Sequence, residues 1–218
     1  QEVRWVHKDA LRTFSFPKAN RAIVNALLLP NRLAITGNFH DASEFGKRLS
    51  HLITQGIRLV QFRAPNKTFD ELAALYRQQR DVLKRHSVHA LINGGVEDFK
   101  SLMLDEAYDD LGLHLSAQRA RNCVSRPIPL SRLLGVSCHN MEEMTHALSL
   151  EPDYLVISPV CKTASHPDAQ PIGWDGFTSL AGRANVPCYA LGGMTTTMLP
   201  EALQHGGQGI AGIREWWK

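Results

Sequence analysis

The amino-acid sequence predicts an α/β protein with the fold of a compact (β/α)8 barrel, a TIM barrel, preceded by a short N-terminal extension. From residue 32 onward, short apolar runs alternate with amphipathic segments, the spacing typical of parallel strands joined by helices. The strand–helix units reach eight, the number that closes such a barrel. A doubly wound open sheet is the alternative, but no G-x-G-x-x-G motif follows the first strand.

The predicted strands are short runs of apolar residues, and the second of them is rich in β-branched side chains. Glycine, proline or polar residues separate these runs from the helices that follow. The predicted strands cover residues 32–36, 57–63, 89–93, 112–115, 133–137, 154–158, 186–191 and 208–211.

The predicted helices show apolar residues at helical spacing. The first of the barrel, at residues 42–55, carries Phe45 and Leu49 on one face. The second begins with a capping box of Thr68 and Glu71. The helices after the first are predicted at residues 68–85, 96–104, 117–123, 141–150, 174–181 and 195–205, with residues 213–218 as the start of a last one.

Residues 1–31 lack the alternation of strands and helices and form the extension, so that the barrel domain covers residues 32–218. A strand fragment is predicted at residues 3–6 and a helical turn at 8–11. A longer helix is predicted at residues 17–29, with proline at its first position. The extension is interpreted either as an appendage that covers one end of the barrel or as the remnant of a preceding domain.

Composition and charge narrow the class of protein. The formal net charge is +3 and the lysines and arginines are scattered, which argues against a nucleic-acid partner. No apolar stretch reaches the ~18–20 residues of a membrane span. The 4 cysteines show no C-x-x-C spacing, so we expect reduced thiols and a cytoplasmic protein.

In such barrels, chemistry gathers where strands meet the loops that follow them. Glycine turns end the last two strands, and glycines there let backbone N–H groups approach a phosphate closely. Two of the polar candidates are two residues apart in one strand and therefore point to the same side. The predicted ligand-binding residues are Gln61, Arg63, Asn93, Ser137, Thr163, Ser165, Gly192, Gly193, Ala211 and Gly212.

Three histidines near the same face, His114, His139 and His166, are the candidate acid–base residues, because imidazole titrates near neutral pH. His114 lies between Leu113 and Leu115, so a buried histidine of the barrel wall is an equally good interpretation of that residue. No pair of acidic residues sits at two strand ends, and no metal ligand is predicted.

Short segments spaced along the chain carry a family resemblance. They are QFR at 61–63, ING at 92–94, GLHL at 112–115, GVSCH at 135–139, DY at 153–154, SPV at 158–160 and LGGM at 191–194. In order and spacing they resemble the thiamin phosphate synthase and TenI family, over roughly residues 32–213. The resemblance implies a (β/α)8 barrel, in agreement with the count of strands.

Thiamin phosphate synthases join a pyrimidine diphosphate to a thiazole phosphate with loss of pyrophosphate, using magnesium. The resemblance implies that Gln61 and Arg63 contact the pyrimidine and its pyrophosphate, and that Asn93 binds the pyrophosphate. The other implied substrate contacts are Ser137, Thr163, Ser165, Gly193 and the turn at residues 210–212, of which the last two cradle the thiazole phosphate.

Four positions depart from the synthase pattern. Gly94 stands where the family has an acidic residue after asparagine, and Arg119 stands where it has a second one. Pro65 stands where the family has a basic residue. His166 or Pro167 stands where the family has a lysine in the loop after the sixth strand. The resemblance implies magnesium, but the acidic residues that would hold it are missing, so no cofactor is evident.

The Asn93-Gly94 pair resembles the TenI branch, whose members aromatise a thiazole phosphate tautomer without metal. Pro159 occupies the position of the histidine that this branch uses in the loop after the sixth strand. The first hypothesis is therefore a barrel that binds thiazole phosphate or thiamin phosphate and acts as synthase or tautomerase in thiamin biosynthesis. It has no nucleic-acid or membrane partner, and a homodimer is an open expectation.

The second hypothesis concerns the extension. Residues 3–6, Leu11 and residues 16–20 resemble the closing segment of a MutT-type Nudix hydrolase. In that case the barrel is a non-catalytic ligand-binding or scaffold module, which binds a nucleotide or a thiamin-related phosphate. The catalytic domain, similar to an 8-oxo-dGTP diphosphatase, would precede Gln1.

Overall fold

Eight parallel strands form a closed barrel in which each strand pairs with the next along the chain and β8 pairs with β1. The computed structural model describes residues 3–163 and 170–218. The predicted (β/α)8 barrel is confirmed. The strands are β1 (Arg32–Ile35), β2 (Leu59–Phe62), β3 (His89–Asn93), β4 (Gly112–Leu115), β5 (Leu134–Cys138), β6 (Tyr154–Ile157), β7 (Cys188–Ala190) and β8 (Gly209–Gly212).

Apart from the first, the helices lie outside the barrel and pack their apolar faces on the strands. The helices are α1 (Arg21–Leu28), α2 (Ala42–Thr54), α3 (Phe69–Arg85), α4 (Val96–Leu102), α5 (Ala117–Ala120), α6 (Met141–Ser149), α7 (Gly173–Ala181) and α8 (Leu199–Gln204). Short 3-10 helices add Lys8–Thr13, Lys18–Asn20, Glu106–Tyr108 and Thr196–Met198. None of the described helices is long and apolar enough to cross a membrane.

The predicted capping box at the start of α3 is confirmed. The Glu71 backbone N–H donates to Oγ1 of Thr68 at 3.2 Å, and the Thr68 backbone N–H donates to Oε2 of Glu71 at 2.7 Å. Side chains of Asp41, Ser116 and Asn140 accept a backbone N–H at the starts of α2, α5 and α6 in the same way. Each cap satisfies a backbone donor that has no partner within its helix.

Two local predictions are wrong. Residues 3–6 form no strand, because a closed barrel leaves no free strand edge with which they could pair. Residues 213–218 form a turn instead of a helix. Trp216 and Trp217 are both buried there, and the Trp217 indole N–H donates to the Asn38 carbonyl at 3.2 Å. The chain end therefore folds back over the barrel.

The extension packs against the amino-terminal ends of the strands. The Arg21 guanidinium in α1 contacts Asp153, directly before β6, at 2.7 Å, and the Asn25 amide donates to the same carboxylate at 2.8 Å. The Tyr189 hydroxyl donates to the carbonyl of Pro30, and Leu29 is buried against the barrel interior. Residues 17–29, predicted as one helix, thus form a 3-10 turn followed by α1, which covers this end of the barrel.

Strand side chains alternate between the interior and the helices. In β2, Leu59 belongs to the interior cluster, whereas Val60 and Phe62 belong to the outer one. The interior apolar cluster consists of Leu29, Leu33, Ile35, Leu59, Leu91, Tyr154, Val156, Tyr189 and Ala211. Interior positions nearer the carboxyl ends of β2 to β5 are polar. The candidate site therefore lies at the carboxyl end of the barrel, next to the interior apolar cluster.

Candidate functional site

Gln61, Asn93, His114 and Ser137 occupy interior positions on the successive strands β2 to β5. Asn93 pairs in register with His114, and His114 with Gly135, two residues before Ser137. The structure thus brings these predicted residues together at one sector of the barrel mouth, the open carboxyl end of the strands.

Gln61 holds a buried acceptor without a partner. Its side chain is 2% exposed, and Oε1 accepts no hydrogen bond from the described residues. A buried carbonyl oxygen without a donor costs about 1–3 kcal/mol. A ligand that donates an N–H or O–H to this oxygen would remove that cost.

Arg63 supplies a half-buried positive charge just beyond β2. Within the parts of the chain that the structure describes, its guanidinium makes no hydrogen bond or ion pair. Its backbone is fixed by Thr36, whose Oγ1 accepts the Arg63 N–H and donates to the Arg63 carbonyl, both at 2.8 Å. The backbone that carries the charge is therefore fixed at the mouth, and the guanidinium donors remain open to an anion.

His114 is a fully buried, neutral imidazole. Its Nε2 lies 2.8 Å from Oγ of Ser137, and its Nδ1 lies 3.3 Å from the Tyr154 hydroxyl. Burial first, and the charge of Arg63 second, lower the pKa of His114 to about 3. At neutral pH the ring is uncharged, as the barrel-wall interpretation expects; its assignment as an acid–base residue stays a prediction.

His139 lies away from the interior, on the start of α6. Its Nδ1 and its backbone N–H contact Oε2 of Glu143 at 2.7 Å and 2.9 Å. Arg121 contacts the other oxygen of Glu143 at 2.9 Å. Burial alone would raise the pKa of Glu143, but these hydrogen bonds and charges outweigh it and lower that pKa. His139 thus belongs to a surface cluster, and its catalytic role stays a prediction.

Arg119 reaches the mouth from α5. Its Nη1 donates to Oδ1 of Asn93 at 3.0 Å, and it also borders a cleft of about 440 Å³ beside α4. Gly94 has no side chain, and a Cβ atom there would lie 2.5 Å from Cδ2 of Phe69. The ring of Phe69 therefore fills the space that an acidic side chain at position 94 would need.

The glycine turn after β7 packs on the loop after β6. Gly192 and Gly193 have φ values of +104° and +67°, and a Cβ atom on Gly193 would lie 2.6 Å from the Lys162 carbonyl. The Val160 and Cys161 N–H groups donate to the carbonyls of Leu191 and Gly192. Gly193 is exposed and its N–H donates to none of the described residues, so this group is available to an anion.

The end of β8 is more covered than the sequence predicts. Ala211 belongs to the interior cluster, and Gly212 is buried under Trp216. Arg214, which sequence reasoning missed, donates from Nη2 to Oγ1 of Thr163 at 3.3 Å and brings a second cation to this side. The available signal was a basic residue two positions after the glycine that ends β8.

Ser165 and His166 lie outside the described residues, so the structure does not place them. Tyr154 is a second residue that sequence reasoning missed. It is in register with Gly135 and contacts His114, and no local sequence pattern indicates this contact. Among the described histidines, cysteines and acidic residues, no group of three or more could hold a metal ion.

Sequence comparisons with known proteins agree on one family. The family model for thiamine monophosphate synthase, TMP-TENI, matches residues 33–215. The chain is 33% identical to "Putative thiamine-phosphate synthase 2" of Aquifex aeolicus (strain VF5), over 85% of this chain and 96% of that protein. It is 29% identical to the thiamine-phosphate synthase of Chloroflexus aurantiacus, over 73% of this chain and 71% of that protein.

Solved structures share the fold. Thiamine phosphate pyrophosphorylase from Pyrococcus furiosus aligns with a TM-score of 0.62 at 20% identity, over 84% of this chain and 85% of that one. A structure described as native KDPGal aligns with a TM-score of 0.64 at 14% identity, over 88% and 85% of the two chains. At these identities the likeness shows the barrel fold alone.

Proposed function

Because the chain belongs to the thiamine monophosphate synthase family, we propose that its barrel mouth binds thiazole phosphate or thiamin phosphate in thiamin biosynthesis. The observation that carries this proposal is a pair of open groups, one on β2 and one just beyond it. The Arg63 guanidinium has no anionic partner among the described residues, and the buried Oε1 of Gln61 has no donor there. A ligand with both an anionic group and a hydrogen-bond donor satisfies both.

Groups on both sides of the mouth suit such a ligand. The Gly193 N–H and Arg214, on the β7–β8 side, are further donors for the same phosphate monoester as the Arg63 guanidinium. Gln61, Arg63 and Asn93 lie on the β2–β3 side. An amino group, such as that of the aminopyrimidine in thiamin phosphate, is a suitable donor to the Gln61 oxygen.

Magnesium does not fit the groups present at this site. The oxygen of Asn93 already accepts a hydrogen bond from Arg119, and Phe69 fills the space beside Gly94. A divalent cation next to a guanidinium would be repelled. We therefore propose that the protein binds its phosphorylated ligand without a metal ion that it holds itself, and that Arg63 and Arg119 supply the positive charge.

The activity carried by this site stays open between synthase, tautomerase and ligand binding alone. At neutral pH His114 is uncharged and cannot act as an imidazolium acid. The structure favours ligand binding as the part of the function for which the groups are present. The Nudix hypothesis, the nucleotide ligand and the homodimer stay predictions.

The test is calorimetric titration of the protein with thiazole phosphate and with thiamin phosphate. We expect both to bind, and the Arg63→Ala variant to bind about 10- to 100-fold more weakly, because charged hydrogen bonds contribute ~1.5–3 kcal/mol. Arg183→Ala is the matched control, since Arg183 is exposed between α7 and β7, at the opposite end of the barrel. Absence of binding of both ligands, or an equal loss in both variants, would refute the proposal.

A further inference from the structure

Three buried or half-buried side chains form a chain of hydrogen bonds across β4, β5 and β6. The Tyr154 hydroxyl lies 3.3 Å from Nδ1 of His114, and Nε2 of His114 lies 2.8 Å from Oγ of Ser137. Tyr154 and His114 are both completely inaccessible to solvent. Ser137 is only partly buried, so the chain begins in the interior and ends at the barrel mouth.

Gly135 creates the space for this chain. His114, Gly135 and Tyr154 are register partners on three adjacent strands, so Gly135 lies between the other two. A Cβ atom at position 135 would lie 2.5 Å from the Tyr154 hydroxyl oxygen and 2.6 Å from Nδ1 of His114. The missing side chain lets the phenol reach across β5 to the imidazole.

The direction of both hydrogen bonds follows from the surroundings of the phenol. Burial raises the pKa of Tyr154 well above its usual value and lowers that of His114, so both groups are neutral. Within the described chain, the only acceptor within reach of the Tyr154 O–H is Nδ1 of His114. Leaving the buried phenol hydrogen unpaired would be unfavourable, because the group has lost its hydrogen bonds to water without replacement. Tyr154 therefore donates to Nδ1.

This fixes the tautomer of His114. A neutral imidazole carries one hydrogen, and if Nδ1 accepts, that hydrogen is on Nε2. The Nε2–H then donates to Oγ of Ser137, which leaves the hydroxyl hydrogen of Ser137 free to point into the mouth. A serine held in this way presents a donor, and its natural partner is an acceptor such as a phosphate oxygen.

We propose that Tyr154 and His114 are positioning residues, which turn the Ser137 hydroxyl into a fixed hydrogen-bond donor for a phosphate oxygen of the bound ligand. The statement about the ligand rests on the proposed function. The statement about hydrogen-bond direction does not, because it follows from Tyr154, His114 and Ser137 alone. In this role His114 keeps its proton, so it is no acid–base catalyst.

Nitrogen NMR of ring-labelled histidine tests the direction of the bonds without any ligand. We expect His114 as the Nε2–H tautomer, unchanged between about pH 5 and 8. Tyr154→Phe should remove the preference for that tautomer. Tyr189→Phe is the matched control: its hydroxyl is also buried, but it donates to Pro30 and not to His114. An Nδ1–H tautomer in the unchanged protein would overturn the proposal.

A double-mutant cycle with thiazole phosphate tests the consequence for binding. Tyr154→Phe and Ser137→Ala should each weaken binding about 3- to 10-fold, and their effects should not add, because both act through one hydroxyl. Additive losses would show that Tyr154 acts independently of Ser137 and would overturn the proposal. If the unchanged protein binds no ligand, the proposed function fails, whereas the tautomer still decides the direction of the bonds.

Discussion

Arg119 donates a hydrogen bond of 3.0 Å to Oδ1 of Asn93, and so places a cation of the protein itself at the ends of β3 and β4. We predict that Arg119→Ala weakens the binding of inorganic pyrophosphate about 3- to 10-fold at low ionic strength. Because the guanidinium is exposed, the difference should shrink as salt is added. Calorimetry at two salt concentrations measures it, with Gln118→Ala as the neighbouring control. Equal affinities of the Arg119 variant and the unchanged protein would contradict this role.

Restoring an acidic residue at position 94 should destabilise the protein instead of creating a metal site. A Cβ atom at Gly94 meets the ring of Phe69, so we expect Gly94→Asp to lower the free energy of unfolding by about 1–3 kcal/mol. Urea denaturation measures the loss. Gly46→Ala in α2 is the control: its Cβ would lie 3.4 Å from Gln79, an ordinary contact, and should be neutral or stabilising. A Gly94→Asp variant as stable as the unchanged protein would contradict the account of Phe69.

The carboxylate of Asp153 should matter for stability and not for ligand binding. It is 2% exposed and contacts Arg21 at 2.7 Å and Arg126 at 2.9 Å. Asp153→Asn leaves the buried Arg126 uncompensated, so we expect a loss of about 3–5 kcal/mol in the free energy of unfolding. Asp81→Asn, an exposed position in α3, serves as the control. A weakened affinity for thiazole phosphate in the folded Asp153 variant would contradict the separation of the two barrel ends.

His114 should make stability depend on pH below neutrality. Its pKa is about 3 in the folded protein and 6.5 as the ordinary value, so between these two pH values only the unfolded chain takes up the proton. The contribution of the buried neutral ring to the free energy of unfolding is complete above pH 6.5. It is lost as the pH falls toward 3, by up to about 1.4 kcal/mol per pH unit.

Denaturation curves between those pH values measure this slope. His114→Gln should flatten it, whereas His40→Gln, at an exposed position, should leave it unchanged. A slope that stays the same without His114 would show that its ring is protonated in the folded protein.

The sequence predicts the barrel well because its signals are local. Alternation of apolar runs and helices, and caps such as Thr68 with Glu71, act within a few residues of each other. β4 was predicted with the bounds that the structure shows. The predictions for residues 3–6 and 213–218 are wrong because the fold of the whole chain determines the local structure there. Residues 3–6 find no free strand edge, and residues 213–218 bury two tryptophans in a turn.

The site was predicted only in part. The alternation of side chains along the strand predicts that Gln61 and Arg63 point to the same side, and Gln61 is buried in the structure. The Tyr154–His114 contact depends on strand register and on the gap at Gly135, which no local pattern reveals. The burial of Gly212 under Trp216 likewise results from the fold of the chain end. Ser165 and His166 lie outside the described residues and stay predictions.

We propose that the barrel mouth binds a thiamin-related phosphate with its own arginines and without a metal that the protein holds. Calorimetric titration with thiazole phosphate, first in excess EDTA and then with about 5 mM magnesium, tests it most directly. We expect binding in EDTA with an affinity that magnesium changes less than about 2-fold, since Arg63 and Arg119 supply the charge. Binding that appears only when magnesium is added would contradict it.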